Sequence, residues 1–510
     1  YQLHFGLQER KCSSLLVGKI TAIKPNIIIH DSQIFRDNIA RVFMVTQEQV
    51  VLGIFILSFV LILSEVVHRT IAAWFGSVLM LIYGHWTGVF HLHEEYNAAG
   101  ELVKEYTLEH TMIGWIEWEV IGLLLGMMIF ASILEICGFF EFVAIKAAKM
   151  SKGDPWRLIV LLGTFTTLIS LVIDNVTAII IIAPVTLRIC NKLEINPVPP
   201  LLAEAILSDT GGVASMVGDP PNVMIAAAAA EEGLTAFSFN GFLFRLGILT
   251  FFAWVATLSY FRWYYRDWAT QKPPHVDLLM EEDEWDAITD KQLMYTTLVI
   301  LGLTVVMFSA KSLLDLEIEI DGIALAGAGF ALILARPREE ELGHGFINDV
   351  VEKVEWQALL FFAGLFLLVG AVGDVGYLDK VANWIFDNFG QDEVILAIAI
   401  IWVSAIASAL IDNIPFTAAM IPVIFSITEA SGGTLSPEPL LWALAMGAGF
   451  GGNATPIGSS ANVMTVAIAE RGPYPITTKE WVRAGVPVML ITCLVATIFM
   501  FIFHGALYSP

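Results

Sequence analysis

Runs free of Asp, Glu, Lys and Arg fall at 50–64, 120–134, 158–173, 246–261, 292–310, 322–335, 357–373, 394–411 and 484–503, and residues 439–469 are uncharged throughout. A membrane helix needs roughly 20 mostly apolar residues, so the pattern predicts a polytopic, all-α membrane protein. A further span is predicted at 71–90 and an interrupted crossing at about 200–230. The apolar stretches 176–187 and 414–428 each follow an Asp-Asn break, which predicts two re-entrant hairpins that enter and leave on the same face. The apolar stretches within 1–46 are too short to span a bilayer, so that region reads as an extramembrane N-terminal segment. The chain begins at Tyr1 rather than Met, which leaves room for an upstream signal peptide or span.

Sliding the chain against itself exposes a duplication. A shift of 238 residues pairs Glu117-Trp118 with Glu355-Trp356, Gly126 with Gly364, Gly138 with Gly376, and Ile173-Asp174-Asn175 with Ile411-Asp412-Asn413. A shift of 240 pairs Gly211-Gly212, Gly218 and Asn222-Val223-Met224 with Gly451-Gly452, Gly458 and Asn462-Val463-Met464. Five full crossings separate Trp118 from Trp356, so the second copy enters from the opposite side. Inverted repeats with interrupted helices are the signature of secondary transporters, whose site sits near the midplane where the copies meet. The organisation expected is leading membrane helices and an acidic loop at 47–116, a first inverted repeat at 117–262, an acidic linker at 263–290, connecting membrane helices and a loop at 291–355, and a second inverted repeat at 356–505.

Charge adds orientation and excludes partners. With the hairpins fixed as above, 17 Lys and Arg residues gather on one face, which the positive-inside rule assigns to the cytoplasm. The run Glu281-Glu282-Asp283-Glu284 in the linker reads most simply as a solvated surface. Fifty acidic against 27 basic residues give a formal charge of −23, which argues against nucleic-acid binding. Cys12, Cys137, Cys190 and Cys493 are scattered, with no disulfide or zinc spacing. The partners expected are a small ion and membrane lipid.

Four interruptions carry the chemistry: Asp174-Asn175-Val176-Thr177 and Asp412-Asn413-Ile414-Pro415 at the hairpin tips, and the Gly-rich breaks 211–222 and 451–462. Broken backbone at membrane depth is tolerated only where it is buried in protein or lines a wet cavity, and its freed carbonyls and amides can bind ions. The candidate ion ligands are Asp174, Asn175, Thr177, Gly218, Asp219, Asn222, Asp412, Asn413, Asn453, Thr455, Gly458, Ser459 and Asn462, with Na+ placed at Asp174, Asn175, Asp412 and Asn413. No His, Lys or Arg occurs in the breaks, and sequence offers no ion-pair partner for Asp174, Asp219 or Asp412. Each should then be protonated or bound to a cation, or serve as a helix N-cap. No resident cofactor is expected beyond Na+ or H+ as coupling ion. Glu204, Asp209 and Asp374 are further acids near apolar spans that sequence does not rank. His91-Leu92-His93-Glu94-Glu95 reads as a solvated loop rather than a metal site. The sequons at Asn175 and Asn453 lie too deep for glycosylation.

The stretch 164–177, ending Leu171-Val172-Ile173-Asp174-Asn175-Val176-Thr177, and Gly218-Asp219-Pro220-Pro221-Asn222 resemble the melanosomal P protein family. That family lies within the ion transporter superfamily, beside arsenite exporters, NhaD-type sodium/proton antiporters and dicarboxylate/sodium symporters. The resemblance covers about residues 50–505 and implies a scaffold part and a transport part, a homodimer and elevator-like movement. Where the dicarboxylate branch has Ser-Asn-Thr at its hairpin tips, this chain has Asp174-Asn175-Val176 and Asp412-Asn413-Ile414. The function expected is secondary active ion transport, Na+/H+-coupled, with an anion pathway for chloride, arsenite or carboxylate as the alternative. An ion channel explains the repeat less well. An intramembrane aspartyl protease does not fit, because Ile173 precedes Asp174 where that enzyme class has Tyr.

Overall fold

The computed structural model describes residues 46–509 apart from 65, 93, 97–101, 106, 275, 315, 317, 335–339 and 390–391; the expected N-terminal segment, except for Thr46, lies outside the described residues. Helices α1 (Gln47–Ser64) and α2 (Arg69–Thr87) fill the first two apolar stretches. The acidic loop that follows carries a short antiparallel hairpin, β1 (Glu94–Tyr96) and β2 (Leu102–Glu105), with Glu95 opposite Lys104, and then helix α3 (Leu108–Gly114).

The first copy runs through α4 (Trp118–Ile136), α5 (Phe139–Ser151), α6 (Pro155–Ser170), α7 (Asn175–Leu193), α8 (Val198–Gly212), α9 (Pro220–Glu231) and α10 (Phe239–Tyr264). The linker holds the short α11 (Val276–Met280), and α12 (Lys291–Leu314), α13 (Ile320–Leu334) and α14 (Glu340–Lys353) connect to the second copy. That copy repeats the order as α15 (Trp356–Asp374), α16 (Tyr377–Phe389), α17 (Glu393–Leu410), α18 (Asn413–Ala430), α19 (Pro437–Gly451), α20 (Ser460–Glu470) and α21 (Thr478–Phe503). The starts of α4 to α7, at 118, 139, 155 and 175, reappear at 356, 377, 393 and 413, a constant 238 residues on. Among the described residues nine helices are long and apolar enough to cross a membrane. The chain is an integral, multi-pass membrane protein built as two inverted repeats.

The glycines paired by the repeat do equivalent work. Gly138 and Gly376 take φ of +79° and +71°, the left-handed region that turns α4 into α5 and α15 into α16. A β-carbon on Gly126 would lie 2.8 Å from the Ala324 backbone of α13, and one on Gly364 would lie 3.1 Å from the Ala73 side chain of α2. Each copy's first span thus packs closely on a helix that precedes the other copy, so α2 stands to the second copy as α13 stands to the first.

The linker's acidic run is a solvated surface, as expected, at Glu281 and Asp283, but Glu282 and Glu284 are held by lysines. Lys149 Nζ donates to Glu284 Oε2 at 2.6 Å and to the Glu282 carbonyl at 2.8 Å, and Lys192 Nζ to Glu282 Oε2 at 2.9 Å. Trp285 packs on Phe142 with ring centroids 4.5 Å apart. The linker is therefore clasped to the ends of α5 and α7, because the basic residues there find its carboxylates within reach.

Candidate ion-binding site

Both hairpin tips are built on aspartate caps. Thr177 donates from its backbone N to Asp174 Oδ1 at 3.0 Å and from its hydroxyl to Oδ2 at 2.7 Å, while the Ile414 backbone N donates to Asp412 Oδ1 at 3.2 Å. The capping role weighed from sequence is thus real at both tips, because the first amides of α7 and α18 need acceptors. The second copy has Pro415 where the first has Thr177, so Asp412 lacks that donor pair. Its Oδ2 instead accepts from Ser460 Oγ at 2.6 Å and from Arg69 Nη1 at 3.1 Å. This corrects the expectation that Asp412 has no ion-pair partner. Arg69 lies 343 residues away, beyond a search of the neighbouring sequence.

The two Gly-rich breaks lie against the hairpins backbone to backbone. A β-carbon on Gly218 would fall 2.0 Å from the Ser170 carbonyl, and one on Gly458 would fall 2.8 Å from that of Ser408. Ser170 Oγ donates to the Ser208 carbonyl at 3.0 Å, as its repeat mate Ser408 does to Ala448 at 2.7 Å, and Thr455 Oγ1 donates to Ala409 at 2.5 Å. Inside each break an asparagine gathers freed carbonyls. Asn222 Nδ2 reaches Gly212, Val213 and Ser215 at 3.3, 3.3 and 2.9 Å, and Asn462 Nδ2 reaches Gly452 and Thr455 at 2.9 and 3.1 Å. Part of the backbone expected to bind ions is therefore already claimed by these side-chain amides.

Between the hairpins and the breaks lie two aspartates of the first copy. Asn175 Nδ2 and Ser459 Oγ both donate to Asp209 Oδ1, at 2.8 and 3.0 Å, and among the described residues Asp209 Oδ2 has no partner. Asp219 stands at the N-terminus of α9 without capping it, and accepts from Asn413 Nδ2 at 3.2 and 3.3 Å. Asp209 and Asp219 are only 2% and 1% exposed, and among the described residues no salt bridge reaches either. Asn453 Nδ2 donates to Thr210 Oγ1 at 3.2 Å, and the side-chain oxygens of Asn222, Asn453 and Asn462 are buried without partners among the described residues. A buried, unpaired carboxylate costs several kcal/mol, roughly, unless a proton or cation joins it. Two carboxylates among unpartnered amide oxygens suit a hard monovalent cation or a proton. Among the described residues no three His, Cys, Asp or Glu side chains form a metal-binding cluster.

Sequence reasoning left Asp209 unranked, and the repeat itself hides it. Its mate under the 240-residue shift is Gly449, whose missing side chain makes room first for Val213 and then for Asp219: a β-carbon there would lie 2.4 Å from Val213 Cγ2 and 3.3 Å from Asp219 Oδ2. Of the other unranked acids, Glu204 accepts from Thr186 Oγ1 at 2.5 Å, and Asp374 accepts from the His91 backbone N at 2.9 Å.

Two cavities flank this centre in repeat-related places. One, of about 800 Å3, is lined by Arg69 at the start of α2, Glu355 and Trp356 at the start of α15, Val463 of α20, the tip residue Asp412, and Ser460 of the second Gly-rich break. The other, of about 630 Å3, is lined by Ile320 at the start of α13, Glu119 and Val120 of α4, and Met216 and Val223. The first reaches a hairpin aspartate. The described lining of the second includes none of Asp174, Asp209, Asp219 and Asp412.

Residues 59–447 match the model of the citrate transporter family, which decides the matter. The chain belongs to the citrate transporter family. The 46 kDa membrane protein of Mycobacterium leprae is 35% identical to this chain over 455 residues, covering 89% of this chain and 98% of that protein. The P protein of Homo sapiens is 31% identical over 514 residues, covering 88% of this chain and 59% of that protein, so the family resemblance read from the hairpin and Gly-Asp-Pro-Pro-Asn motifs holds. The crystal structure of the Alcanivorax borkumensis YdaH transporter, described as having an unusual topology, shares the fold at a TM-score of 0.57 and 15% identity, over 87% of this chain and 100% of that one. The chain is a membrane transporter and not an enzyme.

Proposed function

We propose that the chain is a secondary active ion transporter, coupled to Na+ or H+ and working by alternating access of elevator type. The observation that carries this reading is the pair Asp209 and Asp219, buried between the copies and served by amides and a hydroxyl rather than by a basic residue. Moving such a site across the membrane with its charges bare is prohibitive, so a cation or proton travels with it. One-sided access supports the alternation: the cavity at Arg69 reaches Asp412, whereas the described lining of its repeat mate includes none of the four aspartates. Elevator movement and a homodimer remain parts of this proposal, drawn from the family resemblance. An anion cargo such as a carboxylate is the second reading, favoured by the Arg69 guanidinium on the larger cavity and by the description of the citrate transporter family.

The test is ion-driven pH change in proteoliposomes under Na+, K+ and Cl− gradients, comparing the natural protein with Asp209→Asn, Asp174→Asn and Asp412→Asn. Sodium-dependent proton movement that is lost in the variants supports cation coupling. Chloride-driven flux indifferent to both Na+ and a proton gradient would sink it and advance the anion reading.

A further inference from the structure

We infer that Arg69 is a tethered counter-cation: its guanidinium holds Asp412, and the coupling Na+ must displace it to bind at the second hairpin tip. The inference rests on the cation-coupled reading and adds a residue from outside both repeats.

The placement of Arg69 is not explained by its own helix. It is the first residue of α2, where the helix dipole disfavours a positive charge, and no acidic residue occupies that turn. Its recorded hydrogen bonds both leave from Nη1 and both go to the second copy, to Asp412 Oδ2 and to Ser460 Oγ. The guanidinium carbon sits 5.3 Å from the centroid of Phe361 in α15, so a ring supports the cation's face while its fork points to the hairpin.

The asymmetry between the copies shows what the contact replaces. Asp174 draws two bonds from Thr177 inside its own hairpin. Asp412 has Pro415 at the equivalent place and borrows a charge from α2 instead. Only one of the two tips therefore carries an exchangeable cation of the protein's own.

The pair is also reachable. Both residues line the cavity of about 800 Å3, and their side chains are 32% and 16% exposed, so an ion from solution can approach the carboxylate and the guanidinium can swing into water. The same cavity holds Glu135, Glu352 and Glu355 against Lys353, an acidic lining that gathers cations. Glu355, at the head of α15, lines the same cavity within electrostatic range of Arg69. A Na+ at Asp412 and a guanidinium on the same oxygen repel each other, so occupancy is exclusive. Release of Arg69 also unties α2 from the hairpin, which couples ion binding to freedom of the hairpin to move.

The purified full chain in proteoliposomes tests this with Na+ as the probe. Arg69→Gln should lower the half-saturating Na+ concentration at least fivefold, and Arg69→Lys, which keeps a cation there, should bring it back toward the natural value. In detergent, Arg69→Gln should melt lower without Na+ and gain more Tm from added Na+ than the natural protein does; that readout needs no transport and follows from ligand linkage. Adding Asp412→Asn should erase the effect of Arg69→Gln on both measures. A natural protein that responds to Na+ alongside an Arg69→Gln variant with unchanged or weakened response overturns the inference alone. Flux and melting that ignore Na+ in both proteins also overturn it, and the cation-coupled reading then stands or falls separately on whether a proton gradient drives transport.

Discussion

Asn175 and Asn413 hold equivalent places at the two hairpin tips, yet their side-chain amides go to two different aspartates of the same copy, Asp209 at 2.8 Å and Asp219 at 3.2 Å. One bond stays within the first copy and the other crosses between copies. The centre is therefore shared in geometry and one-sided in charge.

Neutralising either central acid should remove the driving ion. Asp209→Asn and Asp219→Asn keep the side-chain volume and lose the charge. Each should slow cation-driven transport by about tenfold or more, the loss expected when more than about 1.4 kcal/mol of interaction disappears. Proteoliposome flux checks the rate, and loss of any Na+-dependent rise in Tm checks that binding has gone.

The Gly-rich breaks should resist even a methyl group. At Gly218 and Gly458 the added carbon meets backbone oxygens within 3 Å, so alanine there should destabilise by about 1–3 kcal/mol or more through overpacking. Gly53 and Gly302 have nothing within 4 Å of the same position and should accept alanine with a change of about 0.5 kcal/mol or less apart from a small helical gain. Thermal unfolding in detergent separates the two pairs.

Alternating access predicts opposite labelling. A cysteine at Val463 in the larger cavity should react with a membrane-impermeant thiol reagent from one face, and a cysteine at Val223 from the other, with conditions that raise one lowering the other. Cys137, Cys190 and Cys493 are buried, which keeps their background reactivity low. Simultaneous full reactivity of both introduced thiols would describe an open pore.

The linker clasp should be sensitive to acid. The hydrogen bond from Lys149 holds the Glu284 carboxyl below the usual carboxylate range. A depressed value in the folded state stabilises above the ordinary range, and that contribution is lost as pH falls through the folded value. Proteolysis within 263–290 should therefore quicken below about pH 4, and Lys149→Met should quicken it already at neutral pH.

The hairpins and breaks were legible because their signals are local: Asp174-Asn175 and Asp412-Asn413 interrupt apolar runs, and Gly218 and Gly458 fall in register. Arg69 was not, since its partner comes from a distant helix, and sequence places it only on the basic face. Asp209 was hidden differently. It sits inside an apolar helix, two residues ahead of the Gly211-Gly212 that opens the break, and its mate is Gly449, so comparison of the copies dilutes it. The clasp of Glu282 and Glu284 was missed because a run of acids looks the same whether or not lysines from other elements reach it.

The pairing of Asp209 with Gly449, and of Asp219 with Ser459, bears on how a duplicated chain departs from symmetry. Two identical halves carrying both acids would have packed four carboxylates where two now lie. Glycine and serine in the second half remove two of them, yet leave the asparagine brackets at Asn222 and Asn462 and the tight glycines untouched. Once fused into one polypeptide, the halves became free to specialise: at these two positions one carries the ionisable groups and the other neutral residues. A chimera carrying two copies of either half should inherit the architecture without a working balance of charge.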